Sequence, residues 1–263
     1  MYADIDVRPP SISQMLPITP SSLPDTYPCR VTTVLLVRHG RTTANAAGIL
    51  AGWTPGIHLD PIGREQTKAL AQRLSGLAVD GFVTSPLERC RETAEILSAD
   101  RSDPTRLNSD LDLAECRYGD WTGQPLAQLR RQPLWSAVEQ VPSSVTFPNG
   151  EAMAAMQARA LNALRRWNQR YGPEGMYVAV SHGDVIKAIL ADALGMHLDM
   201  FQRILVEPCS VSVVQYSARR PMVIRMNDVG GDLAGLRPVA EDEQARVGGG
   251  DVHQPRTVSG DRG

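Results

Sequence analysis

Between residues 31 and 229 the chain alternates short apolar runs with stretches whose apolar residues recur every three or four positions. The first run, Val34 to Val37, passes straight into Arg38-His39-Gly40, and an apolar run of that length before a glycine turn predicts a buried strand over 33–38. A loop with Gly48, Gly52, Pro55 and Gly56 follows. Leu70, Leu74 and Leu77 then stand at helical spacing and predict a helix over 63–74. Gly81 to Thr84 is a brief strand that meets Ser85-Pro86, a helix cap with proline at the first helical position, so a helix is expected over 86–98. Residues 100–150 read as loop-rich, with one short helix near 125–131. Met153, Met156, Ala160, Leu161, Leu164 and Trp167 give a long helix from Asn149 to a stop at Tyr171-Gly172-Pro173. A strand at 176–180, a helix at 185–194 and strands at 211–216 and 223–226 complete the series. Strand–helix alternation of this kind predicts an α/β sandwich around a largely parallel sheet.

The two ends read differently. Residues 1–30 carry prolines at 9, 10, 17, 20, 24 and 28 without an apolar period, and from Gly230 glycines and charges dominate. Disordered tails at 1–30 and 230–263 around a catalytic body at 31–229 are the expectation. A formal net charge of -2 argues against a dedicated nucleic-acid binder. No apolar run approaches the roughly 18 residues that span a bilayer, and no secretory pattern opens the chain. The four cysteines, Cys29, Cys90, Cys116 and Cys209, form no C-x-x-C pair and read as free thiols. A soluble cytoplasmic protein without a membrane partner is expected.

Candidate chemistry sits at three strand–helix junctions: Arg38-His39-Gly40, Ser85-Pro-Leu-Glu-Arg89 and Ser181-His182-Gly183. Ligands of open α/β sheets bind outside the carboxyl ends of the strands, so parallel strands can bring residues 38, 39, 89 and 182 to one pocket. Helix N-termini there add N–H groups that favour an anion. Arginine matches phosphate oxygens with a planar, permanently charged fork, and a neutral imidazole beside it is a competent nucleophile. Two histidines and two arginines therefore point to phosphoryl transfer, with a general acid still to be found.

Four segments in order, Leu36-Val-Arg-His-Gly40, Ser85-Pro-Leu-Glu-Arg-Cys-Arg-Glu-Thr93, the 113–123 stretch with Glu115, Tyr118, Gly119, Trp121 and Gly123, and Val180-Ser-His-Gly183, resemble the histidine phosphatase superfamily, phosphoglycerate mutase-like branch. The resemblance spans about 33–216. It implies a three-layer αβα fold and a metal-independent, cofactor-free phosphatase that hydrolyses monoesters of small phosphorylated substrates through a phosphohistidine. By resemblance His39 is the nucleophile, Arg38 and Arg89 are phosphate clamps, His182 is the second histidine, Asn45 is a phosphate ligand and Glu115 is the general acid. Gly183, Arg41 and Tyr118 are further candidates for binding substrate. Arg41 departs from the acidic or polar residue that relatives often carry after R-H-G, and it is expected at the pocket rim. A homodimer is a further implication of the resemblance.

Plainer readings apply elsewhere. His58, His197 and His253 read as loop, helix-end and tail residues, Arg130-Arg131 as a solvated helix face, and Trp121 and the methionines of 153–156 as core. Paired cysteines, H-E-x-x-H, a phosphate-binding P-loop and a G-x-S-x-G elbow are all missing, which removes zinc, nucleotide and serine-hydrolase readings. Two alternatives stay open: a phosphomutase that returns the phosphoryl group to another oxygen, and a non-catalytic module that binds phospho-ligands.

Overall fold

The computed structural model describes residues 31–99 and 107–231; the tail assignments at 1–30 and from residue 232 onward lie outside the described residues. Strand β1 (Thr32–Arg38) is buried along its whole length, as a run of β-branched and aliphatic residues covered on both faces should be. Burying an aliphatic side chain contributes roughly 1.5–3 kcal/mol. Four in succession give a strand rigid enough to carry Arg38 into the interior at its end.

Helix α1 (Thr43–Ala46) is a single turn closed by a capping box between Thr42 and Asn45. Helix α2 (Pro61–Leu74) starts two residues earlier than expected, because the Asp60 carboxylate caps Gly63 N–H and Pro61 occupies the first turn. Strand β2 (Gly81–Thr84) leads to α3 (Glu88–Ser98), whose cap position is Leu87, not Ser85. The hydroxyl of Ser85 accepts from Leu87 N–H and faces His182 Nε2, so the expected cap is used for the site instead.

The 107–150 region is less loop-like than its composition suggested. It holds strand β3 (Leu107–Ser109), helix α4 (Leu126–Leu129) and helix α5 (Pro133–Gln140). The α5 segment buries Trp135 and Val138, too few apolar residues to give a period. Helix α6 (Met153–Tyr171) begins at Met153 because Asn149 has a positive φ and Glu151 is bonded to Arg117 through its backbone. Strand β4 (Met176–Ser181), helix α7 (Gly183–Ala193), strand β5 (Val211–Tyr216) and strand β6 (Pro221–Asp228) follow.

The sheet order is β3-β2-β4-β1-β5-β6. β3, β2, β4 and β1 run parallel, while β5 and β6 add antiparallel at the far edge. One face packs on α2 and α3 through Leu70, Leu74, Cys90, Ala94 and Leu97. The other packs on α6 and α7 through Met153, Met156, Leu164, Val185 and Ile189. The result is the expected three-layer αβα sandwich with a mostly parallel sheet. What matters for function is the register of β1 with β4, which pairs Arg38 with Ser181 and so sets His39 beside His182. No helix of the described residues is long and apolar enough to cross a membrane.

Candidate active site

Backbone bonds fix the three junctions to one another. His39 N–H donates to Ser181 O at 3.0 Å, and Ser85 N–H donates to Val180 O at 3.0 Å. Gly40 N–H donates to Thr93 Oγ1 of α3. A Cβ on Gly40 would lie 2.7 Å from Gly63 O and 2.8 Å from Thr67 Oγ1, so only glycine lets this turn sit against α2.

The side chains that converge here are buried: Arg38 is 3% exposed, His39 3%, Arg89 2%, Glu115 4% and His182 0%. The rings of His39 and His182 meet edge to face, with centroids 5.3 Å apart. His39 Nδ1 lies 2.8 Å from Gly40 O, an acceptor, so the ring proton is on Nδ1. Nε2 then carries the free lone pair and accepts from Arg89 Nε at 3.3 Å. Arg89 Nη2 lies 3.1 Å from His182 Nδ1, and a guanidinium can only donate. That puts the proton of His182 on Nε2, where it donates to Ser85 Oγ at 2.8 Å. Burial first, then Arg89, pushes both imidazoles well below their ordinary pKa, so both are neutral. Desolvation thus does more than the neighbouring arginine charges.

Arg89 Nη2 also donates to Gly52 O, whereas Arg89 Nη1 is buried and makes no hydrogen bond among the described residues. A buried guanidinium N–H without an acceptor carries a desolvation cost, which an anion held between the two histidines would remove. Arg38 reaches the same region from β1, and its Nη1 donates to Val206 O at 2.8 Å. Gly183 is the first residue of α7, and no side chain caps that helix start. Asn45 is buried in α1 and turns its Oδ1 to Thr42 N–H and Oγ1–H.

Glu115 belongs to no strand or helix, yet its Oε2 lies 3.9 Å from His182 Nδ1. Two donors hold its carbonyl, and a third holds the loop two residues earlier. Trp53 Nε1 and Arg159 Nη2 both donate to Glu115 O, and Ser181 Oγ donates to Leu113 O. Arg159, on α6, also donates to Asp112 O and Ala114 O and makes a two-point bond to Glu151, whose Oε1 accepts from Arg117 N–H. Three of the five guanidinium N–H groups of Arg159 hold carbonyls of residues 112, 114 and 115, and the other two hold Glu151. Burial, with the Asp184 carboxylate second, raises Glu115 to about 7. The chain's own burial and charges supply that rise without a bound anion. Asp184 is itself fully buried, accepts from Tyr118 Oη–H at 2.7 Å and lies 3.8 Å from Lys187 Nζ.

Two candidates sit elsewhere than expected. Tyr118, a candidate for contacting substrate, is fully buried against Phe147 and donates to Asp184. Arg41 pairs with Asp60 at 2.8 Å and lines a groove of about 380 Å³ with Gln66, Arg73 and Cys209; His39, Arg89 and His182 do not line it. Ser85, Trp53, Arg159 and Asp184 took no part in the sequence-based site. Ser85 stood inside a quoted motif, but Arg159 and Asp184 interrupt helical patterns with no local sign of their purpose. Among the described residues no cluster of three or more histidine, cysteine or acidic side chains could hold a metal ion.

The family description that matches, histidine phosphatase superfamily (branch 1), covers residues 34–229. A Bacillus subtilis protein named uncharacterized phosphatase PhoE is 31% identical over 179 residues, which is 68% of this chain and 86% of that protein. A Cronobacter sakazakii protein named probable phosphoglycerate mutase GpmB is 29% identical over 220 residues, 81% of this chain and 99% of the relative. The solved structure of Bacillus stearothermophilus YhfR superposes with a TM-score of 0.70 at 29% identity, covering 76% of this chain and 98% of that one.

Proposed function

The chain belongs to the histidine phosphatase superfamily, and from that premise we propose that it hydrolyses phosphate monoesters of small molecules through a phosphohistidine on His39. The observation that carries this reading is the unprotonated Nε2 of His39, which shares Arg89 with His182 while Glu115 stands 3.9 Å from that second ring.

In the first step the Nε2 lone pair attacks phosphorus in line, the ester P–O bond breaks, and Glu115 gives its proton to the departing oxygen. A carboxyl group raised to about 7 is half protonated near neutrality, which suits it to this task. Arg38, Arg89, Asn45 and the N–H of Gly183 hold the three phosphoryl oxygens, and His182 joins them when the phosphoryl dianion draws a proton onto its Nδ1. In the second step water attacks phosphorus, the N–P bond breaks, and Glu115 takes the proton from water. Charge on the transferring group is met by two arginines, so no step is routed through a metal.

A mutase name among the relatives keeps the rival route in view. That route needs a further cationic segment to retain a bisphosphate, and the sequence candidate, Arg130-Arg131, lies exposed at the end of α4. Product analysis with 3-phosphoglycerate decides between them. Hydrolysis predicts phosphate release well ahead of isomer formation; isomer appearing faster than phosphate would make the protein a mutase.

A further inference from the structure

An ester oxygen protonated by Glu115 leaves the rest of its alcohol on the Glu115 side of the pocket, and exposure rises there in steps. Glu115 is buried, Trp53 is half-buried with its indole N–H on Glu115 O, and Arg117, two residues further on, is exposed. The Arg117 guanidinium lies over the Trp53 ring, 4.2 Å from its centroid. Stacking on an aromatic face fixes the plane of a guanidinium while leaving its N–H edge free to donate. The backbone beneath is equally fixed, because Arg117 N–H donates to Glu151 Oε1 and Arg117 O accepts from Glu151 N–H.

Arg117 differs in ion pairing from Arg159, with which it shares Glu151: Arg159 pairs with that carboxylate. Arg117 makes no ion pair among the described residues. Glu151, which holds its backbone, is already bonded at both oxygens by Arg159. A cation held flat and left without a carboxylate, on the ring that bonds the Glu115 carbonyl, presents a ready partner for an anion.

We propose that Arg117, stacked on Trp53, recognises a second anionic group, carboxylate or phosphate, on the alcohol part of the substrate. The proposal rests on the hydrolase reading, since Glu115 defines the leaving-group side only if it protonates the ester oxygen. It names a substrate class, phosphate monoesters of acidic alcohols, and leaves esters of neutral alcohols as poorer substrates. An interaction made equally with substrate and transition state acts on KM and leaves kcat in place.

The test compares 3-phosphoglycerate with glycerol 3-phosphate, a pair in which a carboxylate is replaced by a neutral hydroxymethyl group, for the wild type, Arg117→Ala and Arg117→Glu. A charge-assisted bond lost at an exposed site should lower the ratio of the two kcat/KM values about tenfold in Arg117→Ala, through KM, and lower it further in Arg117→Glu. A third arm uses 2,3-bisphosphoglycerate, and a fall confined to that arm supports the proposal with phosphate as the recognised group. An unchanged ratio in both variants together with no fall in the 2,3-bisphosphoglycerate arm, or a loss of the same size for all three esters, overturns it. His39→Ala run in parallel separates the two layers. Full turnover by that variant sinks the hydrolase reading, whereas its loss together with no Arg117 effect in any of the three arms sinks only this inference.

Discussion

Two halves of the candidate site are built in different ways. The half that carries His39, Arg38 and His182 hangs from the ends of β1 and β4, where a parallel ladder sets every position. The half that carries Glu115 has no ladder: residues 114–118 lie between two short 3-10 turns and are held by side chains from distant parts of the chain. The first half places the proposed nucleophile by main-chain geometry that any buried strand provides. The second places the proposed acid by a few side-chain contacts, of which Arg159 supplies the most. Nucleophile and acid should therefore respond differently to mutation, with the acid the more easily dislocated.

The largest effect that would sharpen this contrast is expected from Glu115→Gln. Losing a general acid should cost about 10³-fold for esters of poor leaving groups and far less for an aryl phosphate, whose leaving oxygen needs little protonation. Steady-state kinetics on the two ester types checks this, and equal losses would remove Glu115 from the role of acid. The same residue sets a pH limb. The carboxyl is protonated below about 7 and loses its proton as pH rises through that value, so kcat/KM for an alkyl phosphate should fall above about 7. Glu115→Gln should lack that limb.

Arg159→Ala comes next. It never touches the phosphoryl site, but it releases three carbonyls of the acid-bearing loop. A displacement on the order of 1 Å can cost about 100-fold, so a loss of about 10- to 100-fold on alkyl phosphates is expected, with a smaller loss on aryl phosphates. Arg159→Lys, which keeps the charge but not the fork, should recover part of it. A loss that is equal for both ester types would mean that Arg159 supports the fold at large and not the acid in particular.

The same division explains what the sequence made legible. Buried strands announce themselves through short apolar runs, and the polar residues at their ends are conspicuous there, so the His39 half could be assembled from periodicity and parallel-sheet geometry alone. Glu115 lies in an acid-rich stretch with Asp110, Asp112 and Asp120, and nothing in its spacing separates it from a solvated loop. Only the family resemblance singled it out. Asp184, which helps raise its pKa, and Arg159, which holds its peptide, act through tertiary contacts that no local pattern encodes. Tyr118 shows the converse: a residue beside the acid reads as a contact candidate, but its neighbours Phe147 and Asp184 draw it into the core. Helices α5 and α1 escaped because a turn or two with few buried side chains leaves no period to detect.

The central claim is that phosphorus is bonded to His39 Nε2 during turnover, and rapid acid-free quenching of the enzyme with a ³²P-labelled ester tests it directly. The account predicts a phosphoenzyme that is stable in base, lost in acid and absent from His39→Ala. No trapped label, or label that persists in His39→Ala, would contradict it.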